Sequence, residues 1–400
     1  MLSLALGVVA ACGRIAYDDR ALDAGVEDSG LIGDAYPADA TGRTPPVTKT
    51  LTLANEHTCA ISAGALYCWG DNSAGRLGIG DFDIARTTTP VRLGGASDWS
   101  HVSAFHRHTC AVRMDGSLWC WGRGGQGRLG LGTTSDHAAP QPVVSSIAWL
   151  VVSTGFGHTC AIASDGALWC WGANGYGEVG TGDPGVAHLV PQPVGAAASD
   201  WRAVSAGTNF NCGLRDGHAV WCWGSNMERQ QADANTSLVV PAPRMLESID
   251  SAVQIAAGSE HACVIRADRR LWCWGDNRAG QLGVGDSVRD SESAREVMPG
   301  STWALVAAGG HETCGITTDG ALWCWGENTR GQLGQGDVDV ERHVPARVGT
   351  DEYAEVAVGG AHACARRLDD ALFCWGRNEL GQLGVGDTAD RTTPVRVMGL

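Results

Sequence analysis

Short runs of alternating apolar and polar residues recur along this chain, punctuated by Gly-, Asn- and Asp-rich turns, and no stretch develops the apolar period of a helix. The clearest run is Cys160-Ala161-Ile162-Ala163-Ser164-Asp165-Gly166-Ala167-Leu168-Trp169-Cys170-Trp171-Gly172. It predicts a β-hairpin with one cysteine on each strand. The chain carries seven versions of it. Their first cysteines are Cys59, Cys110, Cys160, Cys212, Cys263, Cys314 and Cys364. Their second cysteines are Cys68, Cys120, Cys170, Cys222, Cys273, Cys324 and Cys374, each followed by Trp-Gly. Successive copies stand 50 to 52 residues apart, and a fixed period of that length marks a repeat architecture.

The same pattern predicts the register. In the third copy a three-residue loop, Ser164-Asp165-Gly166, sets Cys160 opposite Cys170, with Gly166 in the left-handed position that closes such loops. The first copy is one residue shorter, and a two-residue loop, Ala63-Gly64, again sets Cys59 opposite Cys68. The loop absorbs the deletion and the pairing survives. Opposed strand residues lie about 4.5–5.5 Å apart at Cα, within reach of a disulfide. Seven cross-strand disulfides are therefore expected, one per repeat. The alternative is seven pairs of reduced, buried thiols, since free Cys is itself a common core residue.

The second copy shows the rest of the unit. Residues 99–104, 108–113, 117–121 and 140–144 read as four strands, the last at an edge, where Pro is tolerated. Four short strands in about fifty residues match one blade of a propeller. Seven copies over residues 48–400 predict an all-β, seven-bladed β-propeller. Within the hairpin, Cys110, Val112, Leu118 and Cys120 take one face and Thr109, Ala111, Trp119 and Trp121 the other. Both faces are mostly apolar, as in a sheet packed between two neighbours. The disulfide face of one blade should therefore meet the tryptophan face of the next. The connection after each third strand, such as 275–286, predicts a set of tight turns, with Leu282 plugging the core between blades. A phosphate-loop reading of it is poor: no Lys-Ser/Thr follows and no helix begins there.

Composition adds the compartment. The chain holds 16 Trp, all inside the repeats, so Trp belongs to the scaffold. Twenty-nine basic residues stand against 44 acidic ones, a net charge of −15. That argues against nucleic acid and anionic membrane surfaces, which call for a basic face. Fifteen cysteines leave one over, Cys12. It ends an apolar run too short to span a bilayer but suited to a signal peptide. Val9-Ala10-Ala11-Cys12 resembles the lipobox of bacterial lipoproteins. That resemblance implies cleavage before Cys12, acylation of its thiol and of the new amino end, and, with Gly13 following, sorting to the outer membrane. Acyl chains contribute about 0.8 kcal/mol per buried methylene. The alternative is a chance apolar start with a stray Cys. Seven acids and one base, Arg20, between Asp18 and Ala40 read as a flexible tether. The plan is thus a signal peptide at 1–11, a lipid anchor and acidic linker at 12–47, and the propeller at 48–400. Export agrees with disulfides, which persist outside the cytosol.

The motif Gly-x-x-His-Thr-x-Ala, followed by Asp-Gly-x-Leu-Trp-x-Trp-Gly-x-Asn-x-x-Gly-Gln-Leu-Gly, resembles the repeat of the regulator of chromosome condensation family. The resemblance covers about 48–400 and implies a seven-bladed propeller; the cysteines are this chain's addition. Copy four departs, with Phe210-Asn211 for His-Thr and 227–232 in place of the Gly-Gln-Leu-Gly turn. Copy six has His311 one place early, and copy seven lacks the hairpin Gly at Leu368-Asp369-Asp370.

Candidate sites are few. His57, His108, His158, His261 and His362 stand two residues before a first cysteine. A His with two Cys could ligate zinc, but the cysteines are placed for disulfides and a fourth ligand is missing. A His hydrogen-bonded to a neighbouring turn is the preferred reading, and no metal or cofactor is expected. Around Asp165-Gly166 the spacing is wrong for a sialidase Asp-box, and no Gly-x-Ser-x-Gly elbow occurs. The Gly-Trp-Arg-His-Thr signature of the plant UV-B photoreceptor is absent; 105–109 is the nearest stretch. Nuclear members of the family act on a small GTPase and chromatin, which an exported acidic chain would not meet. Secreted bacterial relatives include an inhibitor of β-lactamase. The expected function is a monomeric, lipid-anchored, extracytoplasmic protein-binding scaffold without catalysis, its partner held by loops on one face of the ring. The competing readings are a hydrolase or lyase with a site at the central channel, and a purely structural envelope protein.

Overall fold

The computed structural model describes residues 49–195, 198–232, 237–285 and 289–400. The proposed signal peptide, Cys12 and the acidic linker lie outside the described residues. Each repeat supplies four antiparallel strands in chain order, so that blade two consists of Trp99–Phe105, His108–Arg113, Leu118–Gly122 and His137–Pro142. The fourth strand starts earlier than the sequence pattern suggests. A register shift between Cys120 and Gly122 lets it run back to His137, with its prolines on the free edge. The first five repeats make separate four-stranded sheets. Repeats six and seven share a seven-stranded sheet, because Arg342–Val358 runs from the outer edge of blade six into the inner strand of blade seven.

Ring closure exchanges no strand. The last strand, Arg391–Arg396, pairs with Leu372–Gly376 and completes blade seven, while blade one builds all its strands from its own repeat. Side chains close the ring instead. Glu355, on the first strand of blade seven, accepts the Thr50 hydroxyl at 2.7 Å and the Leu51 amide at 3.0 Å. Similar bonds link first strands elsewhere: Ala104 N to Thr52 Oγ1, Thr154 N to Ser103 Oγ, Ala206 N to Ser153 Oγ and Ala257 N to Ser205 Oγ, all 2.9–3.0 Å.

The hairpins follow from loop length. Cys160 pairs with Cys170 and Ile162 with Leu168, around a loop in which Gly166 has φ 85°. In blade one Cys59 pairs with Cys68 and Ser62 with Ala65, leaving Ala63 and Gly64 at φ 48° and 76°, as a two-residue turn of mirror-image type requires. All seven cysteine pairs are disulfides, with Cα atoms 4.0–4.1 Å apart. Cys110, Val112, Leu118 and Cys120 of blade two pack against Trp149, Ala161 and Trp171 of blade three, so disulfide face does meet tryptophan face. Leu282 sits among Cys263, Cys273, Trp303 and Trp325, in the core between two blades.

One bond recurs at every seam. The indole N–H after each second cysteine donates to a turn carbonyl of the preceding blade, at 2.7–2.9 Å: Trp69 to Gln382, Trp121 to Arg76, Trp171 to Arg128, Trp223 to Glu178, Trp274 to Gln230, Trp325 to Gln281 and Trp375 to Gln332. A methyl group on Gly130 would come within 2.7 Å of the Trp171 nitrogen, which is why that turn ends in Gly. Blade four keeps the turn without the motif. Asn226 Oδ1 accepts the Gln231 amide at 3.0 Å, as Asn277 does for Leu282 at 2.9 Å. Arg229 and Ala232 take the left-handed conformations that glycines hold elsewhere.

Candidate functional site

The five histidines considered for zinc serve the seams. His57, His108, His261 and His362 place Nε2 2.8–2.9 Å from Thr109, Thr159, Thr313 and Thr58 of the next blade. Each of these threonine hydroxyls donates to the turn carbonyl already held by Trp, for example Thr109 to Arg76 at 3.0 Å. The hydroxyl therefore accepts from the imidazole, which carries its proton on Nε2. The turn is reached through Thr rather than directly, a partner that single-blade reasoning could not supply. Burial holds these imidazoles neutral: His158 titrates at about 4, His261 and His362 at about 3, and His57 and His108 well below the usual value. The neighbouring sulfurs are all in disulfides, so no thiolate is available to a metal.

Two departures now have a physical reading. Asn211 replaces Thr in blade four, accepting His158 Nε2 on Oδ1 at 2.8 Å and donating from Nδ2 to the Glu178 carbonyl at 2.9 Å. Phe210 replaces His in the same blade and packs in one apolar cluster with Ala262, which replaces Thr in the next. The seam between blades six and seven is mismatched. Glu312 occupies the His position and Ala363 the Thr position, so the hydroxyl is missing. Glu312 is fully buried, accepts the His311 amide at 3.0 Å on Oε2 and has no partner for Oε1. Burial pushes its carboxyl well above the ordinary range. Ala363→Thr should supply the missing group and raise stability by about 1 kcal/mol, read from a urea midpoint. An unchanged or lowered midpoint would show that Oε1 does not address that position.

The loops between first and second strands and those between third and fourth strands share one face of the ring. Three positions on it can be compared blade by blade. Blade one has Glu56, Asp71 and Arg76; blade two has Arg107, Arg123 and Arg128; blade five has Glu260, Asp276 and Gln281. In blade one the buried Arg76 guanidinium is neutralised by Glu56 at 2.8 Å and Asp71 at 3.1 Å. In blade two both carboxylate positions are arginine. Arg107, Arg123 and Arg128 line one open recess of about 470 Å³ with His106, Gln126 and Phe156. Among the described residues no carboxylate pairs with any of the three. Burial, then Arg123 and Arg107, hold the Arg128 guanidinium down to about 10. His106 and Phe156 stack at 4.3 Å beside them. His106 is likewise held neutral, at about 4, mainly by burial and by Arg107.

Blade five carries the opposite sign. Glu228, Asp276 and Asp290 converge closely enough to hold a cation. The protein's own donors engage them: Arg278 Nε lies 2.7 Å and Gln281 Nε2 2.6 Å from the Asp276 carboxylate. Neither the basic recess nor the acidic group was singled out from sequence. The signal was present as a departure, Gly-Arg-Leu-Gly for Gly-Gln-Leu-Gly, and gains meaning only when the three loop positions are superposed.

Comparisons with known proteins agree with this geometry. A family profile described as RCC1-like domain matches residues 7–305, and profiles for the regulator of chromosome condensation (RCC1) repeat match 319–366 and 369–400. The chain is 30% identical to the ultraviolet-B receptor UVR8 of Arabidopsis thaliana over 74% of this chain and 68% of that protein. It is 26% identical to protein pim1 of Schizosaccharomyces pombe over 84% of this chain, and spans 57% of pim1. Its backbone superposes on Prp20p from Saccharomyces cerevisiae, whose structure is described with its binding to Gsp1p and histones, with a TM-score of 0.74 and 19% identity over 89% of this chain and 87% of that one. No helix among the described residues is long and apolar enough to cross a membrane.

Proposed function

The chain belongs to the RCC1-like domain family, and from that premise we propose that it is a lipid-anchored, extracytoplasmic protein-binding scaffold that works without catalysis. One contrast carries the reading. The seams repeat, with an indole on a turn carbonyl at all seven. The loop face does not repeat: the last residue of the first-to-second-strand loop is Glu56, Arg107, Gly157, Asn209, Glu260, His311 or Ala361. A constant frame beneath a varied rim is what recognition of one particular surface calls for. The relatives point the same way. Prp20p is described with binding to Gsp1p and histones, and it has also been solved bound to Kap60. The lipobox-like Cys12 and the seven disulfides support a partner met outside the cytosol.

Photo-crosslinking groups at Arg123 and Glu260 should give discrete protein adducts in native envelopes, while one at Asp165, on the opposite hairpin face, gives none. Equal adducts from both faces, or none from either, would overturn the reading. Cys12→Ala should release the chain from the membrane fraction; retention there would refute the anchor.

A further inference from the structure

We propose that the arginine-lined recess of blade two is a binding site for a phosphate-class dianion, either inorganic phosphate or a phosphate monoester. The inference stands apart from protein docking, since it concerns one small recess and its own donors.

The recess inverts a satisfied arrangement. In blade one a single buried guanidinium lies between two carboxylates. In blade two the equivalent guanidinium, Arg128, is also buried, but Arg107 and Arg123 replace the carboxylates. Arg128 directs Nε to the Gly125 carbonyl at 2.8 Å and Nη1 to the Phe156 carbonyl at 2.8 Å. Its Nη2 has only a long contact, 3.4 Å, to Gln126 Oε1. Arg107 Nε is buried without an acceptor. Two carboxylates, Asp136 and Glu56, line a neighbouring recess together with Arg76, Arg107 and Arg123. Asp136 accepts the Gly124 amide at 2.9 Å, Glu56 pairs with Arg76, and neither forms an ion pair with Arg107, Arg123 or Arg128.

Three like charges converging in a protein of net charge −15 are a local reversal of its field. Arg128 is buried, Arg107 half-buried and Arg123 exposed. For the first two a cation without a paired carboxylate is costly, and an external anion offsets it. One carboxylate would neutralise one of the three. A phosphate monoester brings two charges and three peripheral oxygens, which match several guanidinium forks at once. The His106–Phe156 stack, with Phe156 40% exposed, offers an apolar wall for the group that bears the phosphate. A phosphodiester polymer fits poorly, because the rest of the surface repels it.

Isothermal titration calorimetry at low ionic strength, with inorganic phosphate, phenyl phosphate and acetate as probes, tests this. Saturable binding of both phosphates and not of acetate is expected, with phenyl phosphate the tighter. Arg128→Gln restores the residue that blades five to seven carry and should fold normally, yet weaken binding at least about tenfold. The double variant Arg107→Glu/Arg123→Asp reproduces the surroundings of Arg76 and should abolish binding without shifting the thermal midpoint. Phe156→Ala should remove only the advantage of phenyl phosphate. Vesicles of phosphatidylcholine with phosphatidic acid separate the two sources. Capture that phenyl phosphate competes away assigns a lipid headgroup, and phenyl phosphate binding without capture assigns a soluble ligand. No saturable binding of either phosphate by about 10 mM, or binding that survives in a folded double variant, would overturn the proposal.

Discussion

Acidification from pH 7 to pH 4 is expected to remove most of the stability of the propeller. The seam imidazoles are neutral donors, and so is His101 on the first strand of blade two, whose Nε2 donates to the Val152 carbonyl of blade three at 2.9 Å. Their folded-state values lie below the ordinary 6.5, with His101 and His158 at about 4 and His261 and His362 at about 3. Between those values and 6.5 the unfolded chain binds more protons than the folded one. Stability from these groups is therefore complete above about pH 6.5 and declines as the pH falls toward 4 and 3. Between pH 7 and pH 4 each such group forfeits roughly 3 kcal/mol, so four of them total on the order of 10 kcal/mol. That matches the whole stability of an ordinary domain, about 5–15 kcal/mol. His57 and His108 act in the same direction. Glu312 acts with the opposite sign, since its raised value favours the folded state at low pH, as do the raised carboxyls of Glu178 and Glu260, but these three stand against six histidines. Tryptophan fluorescence melts at pH 7, 6, 5 and 4 should show a steep fall. The pair His261→Phe with Thr313→Ala copies the apolar contact of Phe210 with Ala262 and should move the acid midpoint downward. A melting temperature that stays level from pH 7 to pH 4 would show that these imidazoles are not buried neutral donors.

Reduction should have an effect of similar size by a different route. Each disulfide spans nine or ten residues, and a loop of that length is worth about 2.5–3 kcal/mol in the chain-entropy account. Seven such links total roughly 15–20 kcal/mol, more than an ordinary domain's net stability. Every half-cystine is buried, so reductant alone will act slowly on the folded ring. In moderate urea the reduced chain should unfold where the oxidised chain stays native. Alkylation should then label fourteen cysteines in the propeller of the reduced protein and none of them in freshly isolated oxidised protein. Fourteen labelled thiols without reductant would contradict both the links and the export reading. Stability unchanged by reduction would confine the disulfides to ornament on a frame held by its indoles.

Much of this was legible in advance, for local reasons. The nine-residue spacing at Cys59–Cys68 and the ten-residue spacing at Cys160–Cys170 each imply one loop length, and loop length selects register. The alternation of Cys110, Val112, Leu118 and Cys120 implied which surface meets the neighbour, because strand side chains alternate with period two. The fourth strands were less legible: the bulge at Cys120–Gly122 shifts pairing in a way that Pro140 and Pro142 do not announce. Blade four read as the most deviant copy, yet its turn is preserved, because Asn226 and the Trp274–Gln230 bond hold it where glycine is missing.

By itself the sequence determined the seven hairpins, the opposition of their cysteines and the layering of blade upon blade. Each of those depends on contacts within about ten residues, or on a repeat that copies itself. Only the tertiary structure decided that His57 would meet Thr109 and that Asn211 would stand in for Thr. It alone also left Glu312 without a hydroxyl and gathered Arg107, Arg123 and Arg128 into one recess. Those partners lie on separate strands and loops, many of them a full repeat apart, and nothing but ring packing brings their side chains together.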